Sequence, residues 1–239
     1  YKKYHVIIVD EASMIDIKLL LELLINTPDG CSIVFVGDAD QLPPIGPGQP
    51  FKDIIESNII PVVRLTGNYR QESLSDIILA SRSIIKGQCP ILNKDIDQHD
   101  FVFLECPKGR QDEMVLDFYF NKVPSYMGTK TEDIQIISPM HKGEVGIKLL
   151  NEKIQKIHSK GEPSIFQKKE NGTQFFIGDK VIQTSNNYDL MVMNGDIGKI
   201  ISKSGKDLIV EFDDREVYFT GLDPFDLDLA YAISIHKSQ

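Results

Sequence analysis

Residues 6–13 read Val-Ile-Ile-Val-Asp-Glu-Ala-Ser, an apolar run that ends in two adjacent carboxylates. Residues 32–44 repeat this pattern, since Ser-Ile-Val-Phe-Val is followed by Gly-Asp-Ala-Asp-Gln-Leu-Pro-Pro. A helical pattern over residues 17–25, apolar on nearly every side, lies between them. Apolar runs joined by a helix are typical of a parallel sheet, and continuous apolar runs predict burial on both faces. The first sixty residues therefore predict an α/β fold with buried strands and a well-buried helix.

The α/β pattern continues to about residue 158 and then changes. We predict helices that end near residue 58 and that span 73–86, 111–120 and 144–158, and strands at 4–9, 32–36, 62–65, 101–104 and 134–138. From about Gly172, short β-type segments separated by turn residues predict a small antiparallel barrel with strands at 180–184, 197–202, 208–212 and 216–219. Residues 229–235 form one more apolar run of the parallel-strand type.

The length of the chain predicts two structural units, or one unit carrying an insertion, and its composition is that of a globular protein. Its 239 residues are 41% hydrophobic and 26% charged, which excludes a disordered or low-complexity chain. No apolar run approaches the roughly 18–20 residues of a membrane-spanning helix, so we expect no membrane partner and a cytoplasmic location. The net charge of −9 opposes nucleic-acid binding over the whole surface, so any such contact has to be local.

The carboxylates of Asp10 and Glu11 follow a predicted parallel strand, at the edge where open α/β sheets bind ligands. One carboxylate of such a pair can hold a hydrated Mg²⁺ ion, while its neighbour orients or deprotonates the water that attacks a γ-phosphate. An isolated Asp-Glu pair is more often a solvated turn. The polar cluster at residues 37–44 favours the functional interpretation because it follows a second strand at the same sheet edge.

Gln41, Tyr69 and Arg70 add side chains suited to the same chemistry. A glutamine after the second strand can hydrogen-bond a γ-phosphate or the attacking water, and an arginine presented across a cleft can stabilise phosphoryl-transfer charge. A tyrosine can stack on a base. Alone, the Tyr-Arg pair would be an ordinary surface feature. Another phosphoryl-transfer enzyme such as a kinase would share the Asp-Glu chemistry but would leave this pair and the C-terminal residues unexplained.

Seven blocks in this order resemble the motif series of RecD-like ATP-dependent DNA helicases of superfamily 1, of the exodeoxyribonuclease V alpha-subunit type, which move 5′ to 3′. The blocks are VDEASM at 9–14, GDADQLPP at 37–44, LTGNYRQ at 65–71, SPMHKG at 138–143, GDKVIQT at 178–184, NGDIG at 194–198 and YAISIHKSQ at 231–239. Any one block is a weak match, whereas the ordered series is specific.

The resemblance implies a RecA-like parallel-sheet helicase core with an inserted SH3-like β-barrel, ATP between two RecA-like domains, and single-stranded DNA across the top. In that arrangement Asp10 binds Mg²⁺ through water and Glu11 is the catalytic base. Gln41 senses the γ-phosphate, Arg70 is the arginine finger, and Tyr69 packs near the adenine. The activity implied is ATP hydrolysis coupled to translocation and duplex unwinding in DNA repair and recombination, with other subunits of a recombination nuclease as further partners.

The DNA contacts expected from the sequence lie in three segments. His141 and Lys142 follow a predicted strand, in a loop that leaves the same sheet edge as the other functional loops, and phosphate contact is the favoured interpretation there. The resemblance places the terminal segment 236–239, with His236, Lys237 and Ser238, on the DNA backbone. Asn194 is first a turn residue and second a candidate DNA neighbour. The lysines at 153, 156 and 160 share one helix face, for which a solvated surface is the favoured interpretation.

The resemblance also divides the chain. It implies the C-terminal part of a first RecA-like domain at 1–62, a second RecA-like domain at 63–171, the barrel at 172–222, and a return strand with the last motif at 223–239. No GxxxxGK[ST] phosphate-binding loop occurs in the sequence. We therefore expect the chain to be a fragment of a longer motor, here called the parent protein, and to be inactive as an ATPase by itself. The alternative is a non-catalytic nucleic-acid-binding module derived from such a helicase.

Overall fold

The computed structural model describes residues 4–65, 75–92, 95, 98–168, 172–205, 207–213, 215–220 and 226–237. The chain forms two compact units, residues 1–102 and residues 103–239, which are described separately below. The first unit extends forty residues beyond the domain boundary predicted at residue 62. The division into RecA-like domains and a barrel stays a prediction. No helix among these residues combines the length and apolarity needed to cross a membrane.

The first unit begins with the predicted strand-helix-strand sequence. Its elements are β1 (Val6–Val9), α1 (Ile17–Asn26), β2 (Ser32–Phe35), α2 (Pro50–Ser57) and α3 (Asp76–Ile85), with a 3₁₀ turn at Ala12–Met14. β1 and β2 pair in parallel, with Val6 opposite Ser32 and Val9 opposite Phe35. The parallel pair confirms the α/β prediction and places the two polar clusters after neighbouring strands.

Burial in the first unit differs from the prediction. The strands alternate between exposed and half-buried positions, with Ile8 70% exposed, and α1 has no buried residue. The predicted strands at 62–65 and 101–104 are irregular, and Val63 is 87% exposed. An apolar sequence indicates that a segment can be buried. Whether it is buried depends on another helix or strand that packs against it. Among the described residues of this unit, no second layer covers the outer face of α1.

The second unit combines helices with a short parallel pair of strands. Its helical elements are α4 (Gln111–Asp117), a π-helical turn at Phe118–Lys122, α5 (Val123–Met127) and α6 (Ile147–His158). β3 (Ile136–Ser138) pairs in parallel with the last strand of the described chain, β11 (Ala232–Ser234). Leu150 and Ile154 of α6 are buried in the core of this unit, whereas Ile157 is 48% exposed.

An antiparallel sheet of five strands forms the β-rich part of the second unit. After the two-residue pair β4 (Phe166–Gln167) and β5 (Gln174–Phe175) come β6 (Lys180–Gln183), β7 (Ile197–Ser204), β8 (Asp207–Phe212), β9 (Arg215–Phe219) and β10 (Leu227–Leu229). The strand order is β10-β6-β7-β8-β9. Its core is formed by the buried residues Phe175, Val181, Val192, Ile200, Leu208, Val210, Phe212, Val217, Phe219 and Leu227. The four predicted β segments between 180 and 219 are confirmed as strands.

The apolar run at 229–235, predicted as one strand, is divided between two sheets. β10 pairs antiparallel with β6, whereas β11 pairs in parallel with β3. Ala230 and Tyr231 lie between the two strands, and we call residues 230–231 the crossover. The sequence pattern is continuous through the crossover because both residues are buried, at 0% and 2% exposure, so periodicity could not reveal the change of sheet.

Candidate nucleotide and nucleic-acid sites

Asp10 and Glu11 lie exposed at the carboxyl end of β1. Asp10 Oδ1 accepts a hydrogen bond from the Glu11 amide at 3.0 Å. Glu11 adopts the left-handed conformation, with φ 49° and ψ 40°, and the amide of the next residue, Ala12, donates to Val36 O at 2.8 Å. A left-handed conformation in a non-glycine residue costs about 1–3 kcal/mol and is concentrated at functional sites. The strained turn holds both carboxylates outward, beside the end of β2.

Gln41 reaches the same place from the loop after β2. The Ser13 hydroxyl, in a residue only 8% exposed, donates to Gln41 Oε1 at 3.0 Å. Because the amide oxygen is occupied, the Gln41 amide nitrogen is the end that can donate to a ligand. Gly37 lets the two loops approach, since a Cβ there would lie 3.0 Å from Ser13 N. Ser13 belongs to the block at residues 9–14, but the sequence pattern assigned it no role.

The carboxylates at this strand end fit a hydrated Mg²⁺ ion. Magnesium in phosphate sites keeps several waters and takes one or two carboxylates plus phosphate oxygens. Asp10 uses one carboxylate oxygen for the Glu11 amide, so its Oδ2 could hold a water of the ion's shell. In the part of the chain that the structure describes, no group of three or more His, Cys, Asp or Glu side chains is arranged to hold a metal ion.

Tyr69 and Arg70 lie outside the described residues, as does Ser238. The next helix after Tyr69 and Arg70 in the sequence is α3. Its N-terminus is capped by a side chain that is distant in sequence, that of Asp100. Asp100 accepts hydrogen bonds from the amides of Asp76 and Ile77 at 2.7 and 3.3 Å and from the Ser75 hydroxyl. The Ser75 hydroxyl, helped by these amides, lowers the pKa of Asp100 below its usual value. A capping side chain 24 residues away from the amide that donates to it leaves no local sequence signal.

In the second unit, His141 and Lys142 are exposed in a tight loop between β3 and α6. The hydroxyl of Ser138, 3% exposed, donates to Val145 O at 2.7 Å across the base of the loop. Gly146 closes the other side, because a Cβ there would lie only 2.5 Å from the Lys142 carbonyl carbon. Ser138 and Gly146 therefore fix the shape of the loop. The sequence assigned a role to neither residue, although Ser138 belongs to the block at 138–143.

His236 and Lys237 lie in the 3₁₀ turn at Ile235–Lys237, directly after β11. Ser234 at the end of β11 is opposite Ser138 at the end of β3. The carboxyl ends of the two parallel strands are thus adjacent, and their loops leave the same sheet edge. The structure brings four of the predicted DNA-contacting residues to this edge, namely His141, Lys142, His236 and Lys237.

Asn194 lies elsewhere in the second unit. It belongs to the loop between β6 and β7, and Gln183 at the end of β6 is opposite Leu227 at the start of β10. β10, the crossover and β11 form one continuous segment at residues 227–234. Asn194 lies near the beginning of this segment, whereas His236 follows its end. The register therefore does not place Asn194 beside the other four residues.

The lysines of α6 are partly neutralised. Lys153 forms an ion pair with Asp112, and the hydrogen bond from Lys153 lowers the pKa of that carboxyl. Lys148 Nζ lies 4.0 Å from Glu152 Oε1. Lys156 and Lys160 are exposed to solvent. Because α6 ends at His158 and Lys160 has a left-handed φ of 48°, the structure does not place Lys160 on one helix face with Lys153 and Lys156.

Two family models match separate parts of the chain. A model described as an AAA domain matches residues 1–103. A model described as the SH3 domain of ATP-dependent RecD-like DNA helicases matches residues 150–212. The second match begins in α6 and ends with β8, so it includes much of the five-stranded sheet.

Relatives and solved structures match almost the whole chain. The ATP-dependent RecD2 DNA helicase of Deinococcus radiodurans is 32% identical over 99% of this chain, which spans 31% of that protein. The RecD subunit of the RecBCD enzyme of Buchnera aphidicola is 25% identical over 98% of this chain, which spans 47% of that protein. A crystal structure of Pif1 helicase from Bacteroides with ADP-AlF3 and ssDNA shares the fold, with a TM-score of 0.58 at 18% identity over 99% of this chain and 62% of that chain.

Proposed function

We propose that this chain is part of a RecD-like helicase and that its parent protein is an ATP-dependent 5′–3′ DNA helicase that translocates on single-stranded DNA. The single observation that carries the proposal is the meeting of Asp10, Glu11 and Gln41 at the carboxyl ends of two paired parallel strands. We further propose that the protein acts in the cytoplasm in DNA repair or recombination. Association with other subunits of a recombination nuclease is part of the same proposal.

The nucleotide chemistry assigns one role to each group. Bound Mg²⁺ would neutralise charge on the β- and γ-phosphates, with Asp10 holding a water of its shell. Glu11, presented by its left-handed turn, accepts a proton from the attacking water. The Gln41 amide nitrogen donates to the γ-phosphate or to that water, since its oxygen is held by Ser13. Arg70 as arginine finger and Tyr69 near the adenine complete the proposed site, with roles that rest on the sequence resemblance.

Replacing Ser13 by alanine should lower the turnover number of ATP hydrolysis by the parent protein about tenfold and leave KM for ATP nearly unchanged. The variant removes the hydroxyl that orients the Gln41 amide but no group that touches ATP. Steady-state kinetics at saturating DNA measure the effect. Ser13→Thr keeps a hydroxyl and should retain most of the activity. A wild-type turnover number in Ser13→Ala would exclude this orienting role.

Replacing Lys142 by alanine should weaken the binding of single-stranded DNA to the parent protein and reduce the slope of log K against log salt by roughly one unit. The reason is that Lys142 lies exposed at the edge shared by β3 and β11, where its ammonium can meet a phosphate. Fluorescence anisotropy at several salt concentrations gives the slope. Lys156→Ala, an exposed lysine of α6, is the matched control. An unchanged slope for Lys142→Ala would remove this residue from the DNA site.

The proposal is tested by assaying the parent protein and the isolated 239-residue chain side by side. We expect DNA-dependent ATP hydrolysis and 5′–3′ strand displacement by the parent protein. We expect no hydrolysis by the isolated chain, whose sequence holds no GxxxxGK[ST] loop to bind the phosphates. Clear DNA-dependent turnover by the isolated chain would contradict the second expectation. A parent protein that binds DNA but neither binds nor hydrolyses ATP would favour the alternative, a non-catalytic nucleic-acid-binding module.

A further inference from the structure

A fully buried carboxylate, Asp179, lies where the antiparallel sheet meets α6 and the crossover. Its Oδ1 accepts a hydrogen bond from the Tyr231 hydroxyl at 2.8 Å. Its Oδ2 accepts hydrogen bonds from Gln155 Nε2 at 2.6 Å and from the Phe176 amide at 2.9 Å. Asp179 directly precedes β6, Gln155 belongs to α6, and Tyr231 belongs to the crossover. One side chain therefore joins three parts of the second unit.

The burial of this carboxylate is costly for stability. Removal from water raises the pKa of Asp179, and burial likewise raises the pKa of Tyr231 well above its usual value. Well-packed apolar side chains at such a position are often as stable as a buried polar network or more stable. A satisfied polar network, unlike an apolar contact, accepts only one arrangement of its partners. The three aligned donors therefore specify geometry more than they add stability.

A side chain of α6, Asn151, also holds the backbone on either side of the crossover. Asn151, 6% exposed, donates from Nδ2 to Leu229 O at 3.1 Å and to Ala232 O at 3.0 Å. Its Oδ1 accepts a hydrogen bond from the Ala232 amide at 2.8 Å. One amide side chain thus holds the last residue of β10 and the first residue of β11. The point at which the chain changes sheets is therefore held by two side chains, those of Asp179 and Asn151.

Asp179, Tyr231, Gln155 and Asn151 form what we call the crossover cluster. We infer that the crossover cluster positions β11 against β3 and so places the turn at residues 235–237 beside the loop of His141 and Lys142. A shift of one residue in a strand turns each of its side chains to the opposite face. The parallel pairing of β11 covers only three residues, so it specifies the register weakly by itself. The consequence for DNA binding rests on the proposed function, whereas the consequence for β11 does not.

Three variants of the parent protein test this inference. Asp179→Ala removes all three hydrogen bonds of the carboxylate. Asp179→Asn can keep them, because an amide oxygen can accept from Gln155 and Phe176 while the amide nitrogen donates to the Tyr231 hydroxyl oxygen. Val217→Ala is the control, since Val217 is buried in the core of the antiparallel sheet and belongs to a different cluster from Tyr231. Binding of single-stranded DNA and hydrogen exchange of residues 229–237 are measured well below the unfolding temperature of each variant.

We expect Asp179→Ala to weaken DNA binding about tenfold and to speed exchange over residues 232–237, while β8 and β9 remain protected. Asp179→Asn should restore both properties. Val217→Ala should lower the unfolding temperature but change neither. The inference is overturned if Asp179→Ala shows wild-type affinity and exchange, or if Val217→Ala changes both as much. If the wild-type protein binds no single-stranded DNA, the proposed function fails, and the exchange pattern alone decides the inference.

Discussion

Replacing Glu11 by glutamine should abolish most ATP turnover by the parent protein and leave nucleotide binding largely intact. Glutamine has nearly the shape of glutamate but cannot accept the proton of the attacking water. Loss of a general base typically lowers the rate about 10²–10⁴-fold. Glu11 is exposed and has a left-handed backbone, in the same turn as Ser13, whose hydroxyl holds Gln41. ATP hydrolysis at saturating DNA, together with the Kd for a fluorescent ATP analogue, measures both parts of the expectation.

The control for this variant is Glu22→Gln, which makes the same chemical change on the exposed surface of α1. Glu22 lies in the middle of the helix, away from the strand ends, so its variant should hydrolyse ATP at the wild-type rate. Substantial ATP turnover by Glu11→Gln would show that another group takes the proton. An equal loss of nucleotide binding and turnover would instead indicate that the loop after β1 no longer folds.

Replacing Gly146 by alanine should weaken binding of single-stranded DNA to the parent protein about tenfold or more. The backbone of Gly146 has φ −69° and ψ 144°, which alanine adopts readily, so the effect is steric. The added Cβ would lie 2.5 and 2.8 Å from two backbone atoms of Lys142. Overpacking of this kind costs about 1–3 kcal/mol or is relieved by movement of the backbone. Movement of the loop backbone displaces His141 and Lys142 from the edge shared with His236 and Lys237.

Gly128→Ala serves as the control for the loop. Gly128 has a left-handed φ of 63°, so alanine there is strained and lowers stability, but no atom lies within 4 Å of the added Cβ. The control variant should lose stability without losing DNA affinity. Wild-type DNA affinity in a folded Gly146→Ala protein would remove the loop at residues 139–146 from the DNA interface.

The candidate nucleotide site was largely predictable because its residues follow strands. Apolar runs identified β1 and β2, and parallel strands present the loops at their carboxyl ends along one edge. The position of Asp10, Glu11 and Gln41 at that edge follows from these two facts. The hydrogen bond that orients Gln41 does not, because Ser13 lies 28 residues away and a serine after a strand has many local partners.

The second unit shows the same limit more clearly. Turn residues and short apolar segments predicted β6 to β9 correctly because strand period and turn chemistry are local properties. The separate fates of β10 and β11 depend on Asn151 and on Asp179, which lie about eighty and fifty residues before the crossover. A single buried amide on a helix has no distinctive period, and neither has a single carboxylate before a strand, so neither residue could be assigned its role in advance.

By itself, the amino-acid sequence determined the α/β character of the chain, the order of its motifs and the placement of carboxylates after a parallel strand. These follow from side-chain period and from the fixed geometry of parallel sheets. Only the tertiary structure decided which apolar segments are covered, where the run at residues 229–235 changes sheets, and which buried polar groups hold the functional loops. Those outcomes depend on contacts between residues far apart in the chain, and such contacts form only when the elements pack.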